Sequence, residues 1–175
     1  MNGTTDRPGE GGSAAHVWPW AVIGFTLIAD QLSKYWILEV FRLPEKRSVE
    51  VLPFFDLTMV WNKGISLGLF QQDSVWGRWI LIGFTMAVTS GLIIWLIRAR
   101  RALLSLGLAL VIGGAVGNAI DRIRFGAVAD FLEFSWGSYS YYVFNIADTA
   151  ITIGVGCLLL DHLLESRKTA VEDQA

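Results

Sequence analysis

Two stretches of the chain, residues 79–97 and 102–120, contain no charged side chain and are separated only by the tetrapeptide RARR at 98–101. Each is long enough to cross about 30 Å of hydrocarbon as a helix. A segment immersed in lipid has no water to satisfy its amides, so these runs must take the conformation that satisfies them internally. The short connection makes the pair an antiparallel hairpin. Two further runs have similar length but carry charges: residues 17–38 hold Asp30 and Lys34, and residues 144–164 hold Asp148 and Asp161. With 53% hydrophobic residues and a positive mean hydropathy, the chain reads as an all-α integral membrane protein. Four transmembrane helices are expected at about 17–38, 79–97, 102–121 and 144–164.

The flanking segments set the expected topology. Residues 1–15 are Gly-rich, polar and aperiodic and read as a disordered tail, residues 16–166 as a single membrane-embedded domain, and residues 167–175 as a cytoplasmic tail. The first run has neither a basic stretch before it nor a small-residue cleavage motif, so it is expected to stay in the protein. The basic turn at 98–101 belongs on the cytoplasmic side. Both termini then lie there too, in agreement with Arg167 and Lys168, and segments 39–78 and 121–143 face outward. Arg42, Lys46, Arg47, Lys63 and Arg78 run against a uniform charge bias. Alternation around 49–60 and a turn at Asn62 to Gly64 predict a small extramembrane β-rich segment over about 45–70 on the outer, periplasmic face. The aromatic segment LEFSWGSYSYYV at 132–143, with a Gly-Ser turn at 137–138, suggests an interfacial hairpin or an aromatic belt.

Several chemistries are disfavoured. A net charge of −2 without a long basic run argues against nucleic acid as a partner. Cys157, the only cysteine, cannot form an intrachain disulfide. There is no HExxH, no cysteine pair and no His/carboxylate cluster, so no metal site is expected. His16 and His162 fall at the inner ends of their helices, and Ser33 and Lys34 are helical neighbours that point different ways.

Ionisable groups in a membrane span are costly and need a partner or a function. Asp30 and Lys34, four apart, form either an intrahelical ion pair or part of a site. Asn118, Asp121 and Arg122 share one face as the third helix leaves the membrane, where a mutual or interhelical salt bridge is the favoured reading. Gly113 and Gly117 form a small-xxx-small patch for close helix approach. Asp130 and Asp148, the latter within FNIAD, are brought to the same outer end by two oppositely directed helices. Two nearby carboxylates share a proton, so one activates water while the other protonates the substrate. The plainer alternative is that Asp148 caps its helix and Asp130 is a loop carboxylate. At the level of the whole protein, a proton-coupled transporter and a purely structural membrane protein are the competing classes.

Five motifs in series resemble those of the lipoprotein signal peptidase (signal peptidase II) family: D-Q-x-x-K at 30–34, N-x-G at 62–64, G-N-x-x-D-R at 117–122, V-x-D-F at 128–131 and F-N-x-A-D at 144–148. The resemblance implies an aspartic endopeptidase of the bacterial inner membrane with Asp130 and Asp148 as the catalytic pair. It also implies a diacylglyceryl-modified prolipoprotein as substrate, cut on the amino side of the lipidated cysteine. Asn62, Gly64, Asn118, Asp121, Arg122 and Asn145 would then contact substrate or orient the aspartates, and Asp30 and Lys34 would support the site from the first helix. No cofactor and no obligate protein partner are implied, only membrane lipids. Ile65, Ser66 and Leu67 depart from the commonest family pattern, which bears on the loop expected to act as a lid over residues 62–70, with Gly64 and Gly68 as its hinges.

Overall fold

The computed structural model describes residues 17–64, 75–136, 139–140 and 142–172. Helix α1 (Trp18–Tyr35) continues through a π-helical turn (Trp36–Val40) into a short α2 (Leu43–Lys46), followed by β1 (Ser48–Leu52) and β2 (Phe55–Asn62). Helices α3 (Val75–Arg98) and α4 (Ala102–Phe125), strands β3 (Val128–Trp136) and β4 (Tyr139–Ser140) and helix α5 (Ile146–Glu172) complete the chain. The expected tail at 1–15, the Gly-Ser turn at 137–138 and positions 65–70 of the expected lid, including Gly68, lie outside the described residues.

Among the described residues three helical segments are long and apolar enough to cross a membrane: Trp76–Arg98, Ala102–Phe125 and Ile146–Lys168. Helix α1 is not among them, because Asp30, Gln31, Ser33 and Lys34 lower the hydropathy of its second half. Helix α5 also runs past the boundary expected at residue 164, taking in Arg167 and Lys168. An ion cluster accompanies that extension: Arg101 bonds Asp161 at 2.8 Å and Glu165 at 2.6 Å, so the α3–α4 turn grips the last turns of α5.

The helices are apolar on the outside and polar within. Phe25, Ile28 and Leu32 on α1, Trp79, Ile80 and Phe84 on α3, and Leu159 and Leu163 on α5 are exposed. Asp30, Lys34, Asn118, Asp121 and Asn145 are buried. Such an inversion suits hydrocarbon as the surrounding solvent, where exposed leucine is free of penalty and an unpaired charge is not.

Helix α4 is the central element, and its glycines set the distances to its neighbours. A Cβ on Gly113 would meet Thr26 of α1 at 2.8 Å, and one on Gly117 would meet the Asp30 carboxylate. This is the close approach read from the small-residue spacing. A second glycine face, not noticed in the sequence, opposes α5. There a Cβ on Gly107 would stand 2.8 Å from the Gly154 carbonyl, and one on Gly154 would stand 2.8 Å from the Gly107 carbonyl. Gly114 lies against the Ala147 carbonyl in the same seam.

At its C-terminal end α4 stops on Gly126, whose φ of 78° is the left-handed conformation glycine adopts without strain, and whose N–H closes on the Arg122 carbonyl at 3.1 Å. The chain turns there directly into β3. The sheet is antiparallel in the order β1-β2-β3-β4. Its central pairing sets Val60 opposite Asp130 and Asn62 opposite Val128. Thus β3, which the sequence reading had not delimited as a strand, completes the sheet begun at 48–62. Phe131 packs beside Ile37 and Leu43, anchoring the sheet on the π-helical turn of α1. Hydrogen bonds between Phe144 and Leu132, at 2.8 and 3.0 Å, tie β3 to the start of α5.

The α4–α5 seam predicts a contrast between two neighbouring glycines. Gly154→Ala should cost about 1–3 kcal/mol through overpacking, read as a lowered melting temperature in detergent. Gly156→Ala, with nothing within 4 Å of its added carbon, should be neutral or stabilise by up to ~1 kcal/mol.

Candidate active site

The ends of α1, α4 and α5 and the sheet converge on a buried network that begins at Lys34. Its Nζ lies 2.9 Å from Asp30 Oδ2 and 2.7 Å from Asp121 Oδ2, and donates at 3.3 Å to Asn118 Oδ1. The intrahelical pair read from the i, i+4 spacing is therefore present, with a second carboxylate added from α4. Asp121 was expected to pair with Arg122 or across helices; the interhelical arrangement is the one formed, and its partner is Lys34. Gln31 donates to Asp30 Oδ2 at 3.0 Å and to Asp121 Oδ1 at 3.3 Å. It joins the network unforeseen, although it occupies the second position of the D-Q-x-x-K motif.

The two carboxylates of this trio also hold backbone. Asp30 Oδ1 accepts the Ala147 N–H at 3.0 Å, and Asp121 Oδ2 accepts the Ala129 N–H at 3.2 Å. Ala129 immediately precedes Asp130, and Ala147 immediately precedes Asp148. One buried ammonium thus fixes the main chain beside each candidate catalytic aspartate, through one carboxylate each.

Asparagines complete the frame. Asn145 Oδ1 accepts the Asp148 N–H at 2.9 Å, so Asn145 caps α5, and Asp148 is capped rather than capping. Asn145 Nδ2 donates to Asp130 Oδ1 at 2.6 Å and to Asn118 Oδ1 at 3.2 Å. Asn118 Nδ2 donates to Asp148 Oδ1 at 2.7 Å. Asn62, the last residue of β2, donates to Asp130 Oδ2 at 3.0 Å and to the Tyr142 hydroxyl at 3.0 Å. Gly64 returns its N–H to Asn62 Oδ1 at 2.9 Å. Arg122 donates to the Asn118 carbonyl at 3.2 Å, its Nε has no protein partner, and Asp148, Asp130 and Asp121 lie within electrostatic reach of its guanidinium. All ten residues singled out in the sequence therefore meet in one cluster.

Asp130 is a buried strand residue, 1% exposed, rather than an exposed loop carboxylate. Burial is the main cause that pushes its carboxyl up to about 6, against a lowering by the Asn62 bond. The charge on Asp148 raises it further, and the Asn145 bond and the Lys34 charge hold it down. Two cavities open on the pair. One, of about 460 Å³, is lined by Val60, Trp61, Asn62, Lys63, Asp130, Tyr142 and Val143. The other, of about 420 Å³, is lined by Tyr142, Phe144, Asp148, Thr149, Thr152 and Ile153. Among the described residues no three His, Cys, Asp or Glu side chains are grouped to hold a metal ion.

Removing the ammonium leaves two buried carboxylates facing each other. Lys34→Met should therefore cost about 3–5 kcal/mol, seen as a fall in melting temperature of the detergent-solubilised protein.

The family model described as Signal peptidase (SPase) II matches residues 22–164. The lipoprotein signal peptidase of Beijerinckia indica is 51% identical over 135 residues, covering 77% of this chain and 81% of the relative. That of Caulobacter vibrioides is 47% identical over 146 residues, covering 83% and 86%. A bacterial membrane enzyme solved by the in meso method at 2.3 Å resolution superposes with a TM-score of 0.73 at 28% identity, over 85% of this chain and 89% of the other. With the motifs, the membrane-suited fold and the matched length in agreement, this chain belongs to the signal peptidase II family and is a membrane peptidase.

Proposed function

We propose that the protein is an aspartic endopeptidase that removes signal peptides from diacylglyceryl-modified prolipoproteins, cutting on the amino side of the lipidated cysteine. The observation that carries this reading is the convergence of Asp130 and Asp148, from separate elements, each held by amide donors and each open to a cavity. Lipoprotein signal peptidases are the relatives over most of the chain, which supplies the substrate class.

In this reading α1 is a fourth span whose charged face is turned inward onto α4 and α5, so lipid meets only its apolar face. The basic turn carrying Arg98, Arg100 and Arg101 lies in the cytoplasm, both termini lie on that side, and the sheet and site face outward from the bacterial inner membrane. Peptide hydrolysis needs water, and the outer ends of the helices are where water reaches.

The dyad works with one proton between two carboxyls. Asp130, whose proton affinity is raised by burial, holds it. Ionised Asp148, one oxygen occupied by Asn118, uses the other to take a proton from a water placed between the two. The resulting hydroxide attacks the scissile carbonyl carbon while Asp130 gives its proton to the carbonyl oxygen; on collapse that oxygen returns the proton to Asp130, and Asp148 passes the proton taken from water to the leaving nitrogen. The C–N bond breaks, the amine leaves with the lipidated cysteine as the new amino terminus, and the signal peptide retains the carboxylate. Arg122, with both aspartates within electrostatic reach, offers a positive charge beside the reacting groups.

The test is cleavage of a diacylglyceryl-modified prolipoprotein in detergent, followed by mobility shift. Asp130→Asn and Asp148→Asn should each lower turnover by about 10²- to 10⁴-fold while remaining folded. Near-parental turnover in either variant would remove that aspartate from the dyad.

The pH profile gives a second check. Because the Asn62 bond holds the Asp130 carboxyl down against burial, Asn62→Ala should move the limb that lies near 6 in the parent to higher pH. A limb that stays in place would detach Asn62 from Asp130.

A further inference from the structure

We propose that the hydroxyl of Tyr142 is a positioning group for the dyad: it takes one N–H of the Asn62 amide so that the other remains on Asp130. This rests on the reading of Asp130 and Asp148 as the catalytic pair.

The amide of Asn62 has three polar sites, and all three are held. Its oxygen accepts the Gly64 N–H at 2.9 Å, which fixes which end of the amide faces which way. Its nitrogen carries two hydrogens, one directed to Asp130 Oδ2 and one to the Tyr142 oxygen, both at 3.0 Å. Rotation about the last side-chain bond of Asn62 would break all three at once. Without the phenol, the nitrogen has a single acceptor and swings about it, weakening the bond to Asp130 through loss of alignment.

The surroundings of Tyr142 fit this role. The residue is 69% exposed, so it contributes little to the core. It follows β4 and precedes the Phe144 bridge to Leu132, so the bond from Asn62 straps the end of β2 to the approach of α5, across the mouth of the site. It also lines both cavities, the one reaching Asp130 and the one reaching Asp148. A phenol that accepts from Asn62 still has its own hydrogen to give, and water or peptide in either cavity satisfies it without loosening the amide.

The experiment uses the full chain in detergent, measuring kcat, KM and the pH profile on a diacylglyceryl-modified prolipoprotein for the parent, Tyr142→Phe, Asn62→Ala and the double variant, with single-turnover assays for the slow ones. Tyr142→Phe is expected to lower kcat about three- to tenfold. KM should stay within about twofold, the change expected when the lost contact acts on the transition state alone. The limb near 6 should move to higher pH, because Asn62 holds the Asp130 carboxyl down less firmly. In the Asn62→Ala background the same substitution should change nothing further. The KM and the limb position do not depend on how much of a preparation is folded, so a stability change cannot mimic this result. Parental kcat and pH profile in Tyr142→Phe would overturn the proposal. So would an equal loss with and without Asn62, or a raised KM at unchanged kcat, either of which would make Tyr142 a direct substrate contact. Cleavage that survives in folded Asp130→Asn or Asp148→Asn would instead remove the dyad reading, whatever Tyr142 does.

Discussion

Lys34 stands between Asp30 and Asp121 where water is shut out, at 2.9 and 2.7 Å. One ammonium cannot satisfy every oxygen of two carboxyl groups, and in so dry a place the remaining acceptors need donors of their own. They have them in the main-chain N–H groups of Ala129 and Ala147 and in the side chain of Gln31. These bonds hold the segments carrying Asp130 and Asp148 onto the helix pair. Replacing the trio by apolar residues of equal volume would pack as well and leave those backbone donors without acceptors. An ion pair of this kind is weak as a source of stability, and its use here is to specify position.

The network has a consistent gradient from fixed to free. At Lys34 every polar atom is surrounded by protein, and the residues are within a few per cent of complete burial. One step outward, Asn118 and Asn145 each bond two or more partners within the protein. At the last step stand the two aspartates, with protein on one side and a cavity on the other. Asparagine suits the middle layer because it donates and accepts from one short planar group without titrating, so it orients carboxylates without changing the number of exchangeable protons near them.

The spans were legible because lipid imposes a length and a composition, and residues 79–97 and 102–120 satisfy both without ambiguity. Helix α1 was harder, since the same Asp30 and Lys34 that locate the site dilute its hydropathy. The site residues were legible as motifs, and all of them do converge, yet spacing along the chain could not give their roles. That Asp121 answers to Lys34 rather than to Arg122, or that Asn145 rather than Asp148 is the cap of α5, depends on how helices far apart in sequence face one another. Of the third strand only the part from residue 132 was read, within the expected hairpin; its start was not legible because VADFLEF does not alternate cleanly: Val128, Ala129, Asp130 and Phe131 are all buried, as a strand enclosed on both faces must be. Tyr142 carries no signal in the sequence that separates it from its aromatic neighbours.

The distribution of charge also bears on the competing classes. A proton relay through a membrane needs titratable groups spaced along its depth. Here Asp30, Asp121, Asp130 and Asp148 share one connected network at the end where α4 exits and α5 begins, whereas Asp161 is at the far end of α5. Asp161 pairs with Arg101, and between it and the cluster α4 and α5 meet through Gly107, Gly114 and Gly154, with Leu158, Ile151 and Val111 packed against them. So close a seam leaves no room at those three glycines for a side chain of any kind, and the carboxylates of the network gather at the end where α5 begins instead of being spread along its length.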